Sequence, residues 1–192
     1  MYSIPTSIYI DGTEYRIRNN GDYRVILDCF RALSDVELTA KERLLAGLII
    51  FYDDFSTIDD LEELPVEQLV TEMYKFFNCG SDNVGSKAEK KLIDWEQDEQ
   101  LICSAINRVS GKEIRLEPYI HWWTFMGYFT AIGESPISTI ISIRDKISRG
   151  IKLEKHERKY RNENPQYFIW NNKTIEEQEA DKLVKEIWNS GG

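Results

Sequence analysis

Residues 120–133 read IHWWTFMGYFTAIG: two adjacent tryptophans, two phenylalanines, a methionine and a tyrosine, with His121 the one side chain that titrates near neutral pH. Wound into a helix, Trp122, Trp123, Phe125, Met126 and Phe129 occupy most of the circumference, and a helix that is apolar on nearly every side has to be enclosed by other elements. A bilayer would also enclose it, but crossing one takes roughly 18 to 20 uninterrupted apolar residues. No run of that length occurs. Aromatic and methionine clusters at helical spacing are usually packing, so no cofactor is expected. The run predicts a central core helix over 118–132, with Trp95 of the preceding helix among the core residues. Its indole N–H groups need polar partners once buried, and the charges of that preceding helix are the expected source.

The rest of the chain supplies the enclosure. Residues 6–18, TSIYIDGTEYRIR, alternate apolar and polar positions on either side of Asp11-Gly12, the pattern of a hairpin closed by a two-residue turn. Ile8, Ile10, Tyr15 and Ile17 then share one face. The period next changes to that of helices, with Val25, Ile26, Cys29, Phe30 and Leu33 at spacings of three and four. Thr39 followed by Glu42 is a capping box, Pro65 opens a third helix over Leu69, Met73, Phe76 and Phe77, and Gly80 follows its end. The polar run GSDNVGS predicts a loop or hinge over 80–87. Helical spacing resumes from about Lys90 to Val109, then over 118–132, then from Ser135-Pro136 to Gly150, and again in the charged KLEKHERKYR. The segment IEEQEADKLVKEIW predicts a peripheral C-terminal helix within 171–192. Residues 1–192 thus read as one mainly α, multi-helix single domain with a short N-terminal β-hairpin.

Composition narrows the chemistry. The hydrophobic fraction of 42% and charged fraction of 30% are those of a folded globular chain. The N-terminus has no basic segment leading into an apolar one, so the protein is expected to stay in the cytosol. Cys29, Cys79 and Cys103 lack metal or disulfide spacing and are expected as buried thiols. The sequence contains no P-loop, dinucleotide, serine-hydrolase or zinc-protease signature, and no enzymatic activity is expected. Asp94 and Asp98 in DWEQDEQ would lie one turn apart on a helix, an arrangement that is more often a solvated acidic face than a metal site. Asp53-Asp54 and Asp59-Asp60 lack the glycine and terminal glutamate of a calcium loop. They are expected to end one helix and start a short one, and no metal is expected.

The net charge of −9 is unevenly spread: residues 1–100 carry 10 basic and 21 acidic side chains, and residues 101–192 carry 14 and 12. Residues 144–161 hold 8 basic and 3 acidic side chains. Arg144, Arg149, Lys152, Lys155, Arg158 and Lys159 are the candidate partner-binding residues of this strip. A nucleic-acid-binding or regulatory role through 144–161 is the alternative reading, although the interleaved acids and the low pI disfavour it.

The order of DWEQDEQLICSAINRVSGKEIR, then IHWWTFMGYFTAIGES, then IRDKISRGIKLEKHERKYRNEN resembles the bacteriophage gene product fifteen family of tailed phages and prophages of Gram-positive hosts. LTAKERLLAGLIIFYDD extends the likeness over nearly the whole chain. The resemblance implies a small phage protein whose gene lies between those of the major tail protein and the tape measure protein. Proteins encoded there are generally tail assembly chaperones, which coat the tape measure chain before tube subunits polymerise around it. It implies a tape measure protein as partner, the major tail tube protein as a second candidate, residence in the host cytoplasm, absence from the mature virion, and no catalytic residues to carry over. The charge asymmetry adds an expectation of weak head-to-tail homo-oligomers.

Overall fold

Asp11 and Gly12 both adopt left-handed backbone, with φ of 51° and 83°, as a tight hairpin turn matched to strand twist requires. They join β1 (Ser7–Ile10) to β2 (Thr13–Arg16) as an antiparallel pair with Ile8 opposite Tyr15. The structure, a computed structural model, describes residues 3–81 and 91–170. Ile8, Ile10, Tyr15 and Ile17 all point into the core.

The chain then turns through Asn19, Asn20 and Gly21, all with positive φ. A Cβ on Gly21 would come within 2.8 Å of the Phe76 ring, so glycine meets both the backbone and the space requirement there. Arg18 beside this turn donates to the carbonyls of Ile49, Ile50, Tyr52 and Phe55. It thereby caps the C-terminal end of the second helix, where carbonyls lack partners and a cation is favoured.

Seven α-helices follow among the described residues: α1 (Tyr23–Leu33), α2 (Ala40–Phe51), α3 (Val66–Phe77), α4 (Glu99–Ser110), α5 (Trp122–Thr130), α6 (Pro136–Ser148) and α7 (Lys155–Glu163). The protein is mainly α, with the hairpin as its only sheet among the described residues. Thr39 and Glu42 form the capping box of α2, and Ser135 with Ser138 forms that of α6. Asp54 accepts from Arg16, and Asp60 accepts the amides of Ser56 and Thr57 ahead of a short 3-10 turn at Asp59–Leu61. Asp22 caps α1 by accepting the Arg24 amide at 3.0 Å. Its second oxygen accepts the Ile120 amide, also at 3.0 Å, and Tyr23 N–H donates to the Ile120 carbonyl at 2.9 Å. The entrance to α1 is thereby joined to the entrance to α5, where the Tyr23 and Phe125 rings stack 4.6 Å apart.

Trp122 and Phe125 are each 1% exposed. Trp95, Trp123, Met126 and Phe129 are half-buried and pack against the core. Three corrections concern this region. First, α5 begins at Trp122, because His121 is its N-cap: the His121 Nδ1 accepts the Trp123 amide at 3.1 Å. Residues 118–121 are not helical. Second, α5 is not covered all round, because Thr124, Gly127 and Thr130 form an exposed stripe of small residues. Third, the indoles are not satisfied by charges of the preceding helix. Trp122 donates to the Phe77 carbonyl at 2.9 Å and Trp123 to the Phe76 carbonyl at 3.0 Å. Both acceptors belong to the last turn of α3, whose carbonyls have no partner within the helix.

Cys29 and Cys103 are buried, but Cys79 is exposed. It sits just past α3 with φ of 54°, in a turn closed by its own amide and that of Gly80 onto the carbonyls of Phe76 and Lys75. Most of the 80–87 loop, and the whole of the 171–192 helix, lie outside the described residues.

Candidate functional site

The expectation of a helix from Lys90 fails at residues 91–98, and the reason builds one wall of the candidate site. The Asp94 side chain accepts the amides of Glu96 and Gln97, a local alternative to the helix that short acidic side chains favour. It also accepts the Lys91 ammonium at 2.8 Å. Burial pushes the Asp94 carboxyl up, but these amides and Lys91 outweigh it and hold the group below the usual carboxylate range. Asp98 accepts the Asp94 amide at 3.0 Å. The two carboxylates therefore bracket a turn ahead of α4, and both are buried, Asp98 completely. They are not a solvated acidic face.

Asp98 faces Arg144 of α6. The guanidinium reaches both Asp98 oxygens, the Leu92 carbonyl at 2.9 Å, and the Tyr167 carbonyl from two of its nitrogens at 2.9 and 2.6 Å. Its donor set is thereby filled. The Trp170 ring covers its face at 4.3 Å. From the same wall, Gln97 donates to the carbonyls of Gln166 at 2.7 Å and Ile169 at 3.0 Å. Arg144 is 5% exposed, so it is removed from the partner-binding candidates: it clamps α6, the 91–98 turn and residues 166–170 together.

Between this wall and α1 lies a groove of about 430 Å³. Leu27, Phe30, Trp95, Ile102 and Phe125 form its apolar lining. The Phe30 and Trp95 rings lie nearly parallel at 6.0 Å, and Trp95 in turn meets Trp122 at 5.7 Å. The groove thus has the rigid aromatic core as its base. Arg31 of α1 and Glu96 of the wall approach to 4.0 Å across it, both largely exposed, a pairing that contributes little. Cys103 also lines the groove, where burial pushes its thiol up. Burial does the same to the Cys29 thiol in the core, and neither has the thiolate character of a nucleophile. Among the described residues no group of three His, Cys, Asp or Glu is placed to hold a metal ion. A water-exposed slot with an apolar lining and a charged rim suits the apolar face of an amphipathic helix.

The other basic candidates lie elsewhere. Arg149 pairs with Asp145 at 3.2 Å and Lys159 with Glu163 at 3.8 Å. Lys152, Lys155 and Arg158 are exposed. Lys146 is tied to Glu157 at 2.6 Å, which further dilutes the positive field of the strip. The groove was missed from the sequence because Leu92 and Trp95 continue the apolar spacing of α4, so that 91–98 reads as helix. Gln97, Tyr167 and Trp170 act through backbone carbonyls and ring faces, which leave no spacing signature.

Among the described residues, no helix is long and apolar enough to cross a membrane. No curated relative and no solved structure matches this chain. The family model described as Bacteriophage Gp15 protein matches residues 2–168, a span containing α1 to α7, the clamp as far as Tyr167 and every residue lining the groove. Such membership points to a phage protein of virion or morphogenesis type, and the chain belongs to the bacteriophage Gp15 family.

Proposed function

We propose that this protein is a tail assembly chaperone that binds and shields the tape measure protein during tail morphogenesis, and that it acts without catalysis. The observation that carries the reading is the groove between α1 and the 91–99 segment: apolar within, charged at the rim, and in a phage protein of this family. A tape measure chain is long and helical, with apolar faces that aggregate unless covered, and helix-in-groove docking covers such a face. The raised thiols and the carboxylates committed to the fold support a binding role over a reactive one. The basic residues left exposed in 149–159 suit weak, salt-sensitive contacts to the acidic N-terminal half of another copy.

Co-expression with the adjacent tape measure gene tests this. The client is expected to become soluble and to co-purify with several copies of this chain. A client that stays insoluble, together with normal tails when the gene is deleted, overturns the reading. The exposed Lys152, Lys155 and Arg158 favour nucleic-acid binding as the second reading. Micromolar binding of duplex DNA or RNA at physiological salt, lost on Lys155→Glu with Arg158→Glu, would move the function there.

A further inference from the structure

Four acidic and four basic side chains line the groove, so by count it is neutral. Their commitments are unequal. Arg24 donates to both Asp22 oxygens and to the carbonyls of Ile114 and Glu117. Lys91 is bound to Asp94 at 2.8 Å and lies beside the Trp170 ring. Arg115 is held by both Glu113 oxygens, at 2.8 and 2.9 Å, and by Gln100 at 3.2 Å. Each of these three cations has its own carboxylate, and an occupant could use it only by breaking charge-assisted bonds it already makes.

What remains is Asp28, Arg31, Glu96 and Glu99. Asp28 and Glu99 are exposed and make no side-chain hydrogen bond or ion pair among the described residues. The field of Glu99 reaches Arg115, whose charge Glu113 already offsets. Arg31 and Glu96 meet only at 4.0 Å, with side chains 75% and 65% exposed, so an entering group parts them at little cost. Three acids then face one base. On the α1 side Asp28 and Arg31 offset each other. On the opposite side Glu96 and Glu99 stand together, with the nearby Lys91 taken by Asp94. The groove is therefore apolar within, balanced along α1 and acidic along the 91–99 wall.

We propose that the groove takes an amphipathic helix of a partner protein whose apolar face is bordered by Lys or Arg along the edge that meets Glu96 and Glu99. This rests on the helix-in-groove reading above and adds the charge of the helix. A helix with acids on that edge would bring like charges together, which is how a surface rejects wrong partners. One exposed pair contributes little, so the discrimination comes from both wall acids acting together and weakens as salt is added.

The probes are two fluorescein-labelled, hydrocarbon-stapled peptides of about four helical turns. They share one leucine face, bordered by Lys in one and by Glu in the other. Anisotropy with the full-length chain at low salt should show the Lys peptide binding at least about tenfold more tightly. Glu96→Gln/Glu99→Gln should bring the two peptides within about twofold of each other, and Glu96→Lys/Glu99→Lys should invert the preference. Leu27→Glu in the lining and Ser34→Trp at the rim should each weaken both peptides, with thermal melts confirming that every variant folds. Equal binding of the two peptides overturns the proposal, as does no binding of either. A preference that survives Glu96→Gln/Glu99→Gln, or binding untouched by both Leu27→Glu and Ser34→Trp, places the peptide elsewhere and also overturns it. Co-expression with the tape measure gene keeps the two readings apart. A client that co-purifies while the Lys peptide has no advantage sinks the charge rule alone, and a Lys preference beside an insoluble client sinks the chaperone reading alone.

Discussion

From the hairpin to the start of α6 the buried side chains form one contiguous apolar cluster, running from Ile8 to Ile137. The 91–98 turn and the middle of α6 also lay Ile93, Trp95 and Ile141 against that cluster, but they are joined to each other and to residues 166–170 by a buried charge pair and its hydrogen bonds to backbone carbonyls. Apolar contacts are non-directional and roughly proportional to area, so the first region can lose one contact and keep its shape. The second depends on a network in which each member satisfies another, and a partly satisfied buried network is worse than none. Two kinds of attachment thus meet along the groove, with the apolar core at its base and the polar clamp behind its wall.

Removing Trp122 should have the largest effect. Trp122→Ala opens a cavity in the core and leaves the Phe77 carbonyl without its indole partner, and about 4 to 5 kcal/mol should be lost in urea unfolding. A loss below about 1 kcal/mol would mean that α5 is not part of the core. Arg144→Ala leaves Asp98 charged and buried without a counterion, which should cost about 3 kcal/mol. The instructive variant is the pair: Arg144→Met with Asp98→Leu removes both charges and should recover most of that loss. If the double variant is as unstable as the single one, the clamp matters for the carbonyls it binds rather than for its charge pair.

The smallest effect is one of pH, and it tests the apolar side. Burial lowers the His121 pKa, while the Pro5 carbonyl and the nearby Asp22 charge pull the other way without overcoming it. The neutral ring accepts the Trp123 amide at Nδ1 and donates from Nε2 to the Pro5 carbonyl at 3.0 Å. Above the unfolded value of about 6.5 both states are neutral and this group has no effect on stability. As pH falls through that value the unfolded chain takes the proton first, so stability declines until the folded pKa is passed. Urea midpoints at pH 7.5 and 5.5 should differ in that direction. His121→Asn, whose side-chain oxygen can still cap α5, should remove this contribution.

Legibility in the sequence follows the same division. Asp11-Gly12, the Thr39 capping box, Ser135-Pro136 and the apolar spacing of α1 to α3 are local signals, and each marked its element before any tertiary contact was known. The 91–98 turn misled because Leu92 and Trp95 extend the helical apolar spacing of Ile102, Ile106 and Val109 backwards. What bends the chain there is the Asp94 side chain on the following amides and an arginine 46 residues further on. The same arginine read as part of a basic strip, since a cation that ends up buried looks like any other in a run of basic residues. The indole partners were misassigned for a related reason: the backbone carbonyls of a helix end have no side-chain identity to read.

The two bonds between the entrance of α1 and Ile120 set a schedule for synthesis. Asp22 and Ile120 are 98 residues apart, and a ribosome adding about 5 to 20 residues per second needs about 5 to 20 s to cover that distance. Until then α1 lacks the Phe125 ring that stacks on Tyr23, and the last turn of α3 lacks both indoles. The N-terminal half therefore emerges before the element that covers it. A nascent chain arrested before residue 120 should be readily cut by protease across α1 to α3, and one arrested well beyond residue 130 should resist.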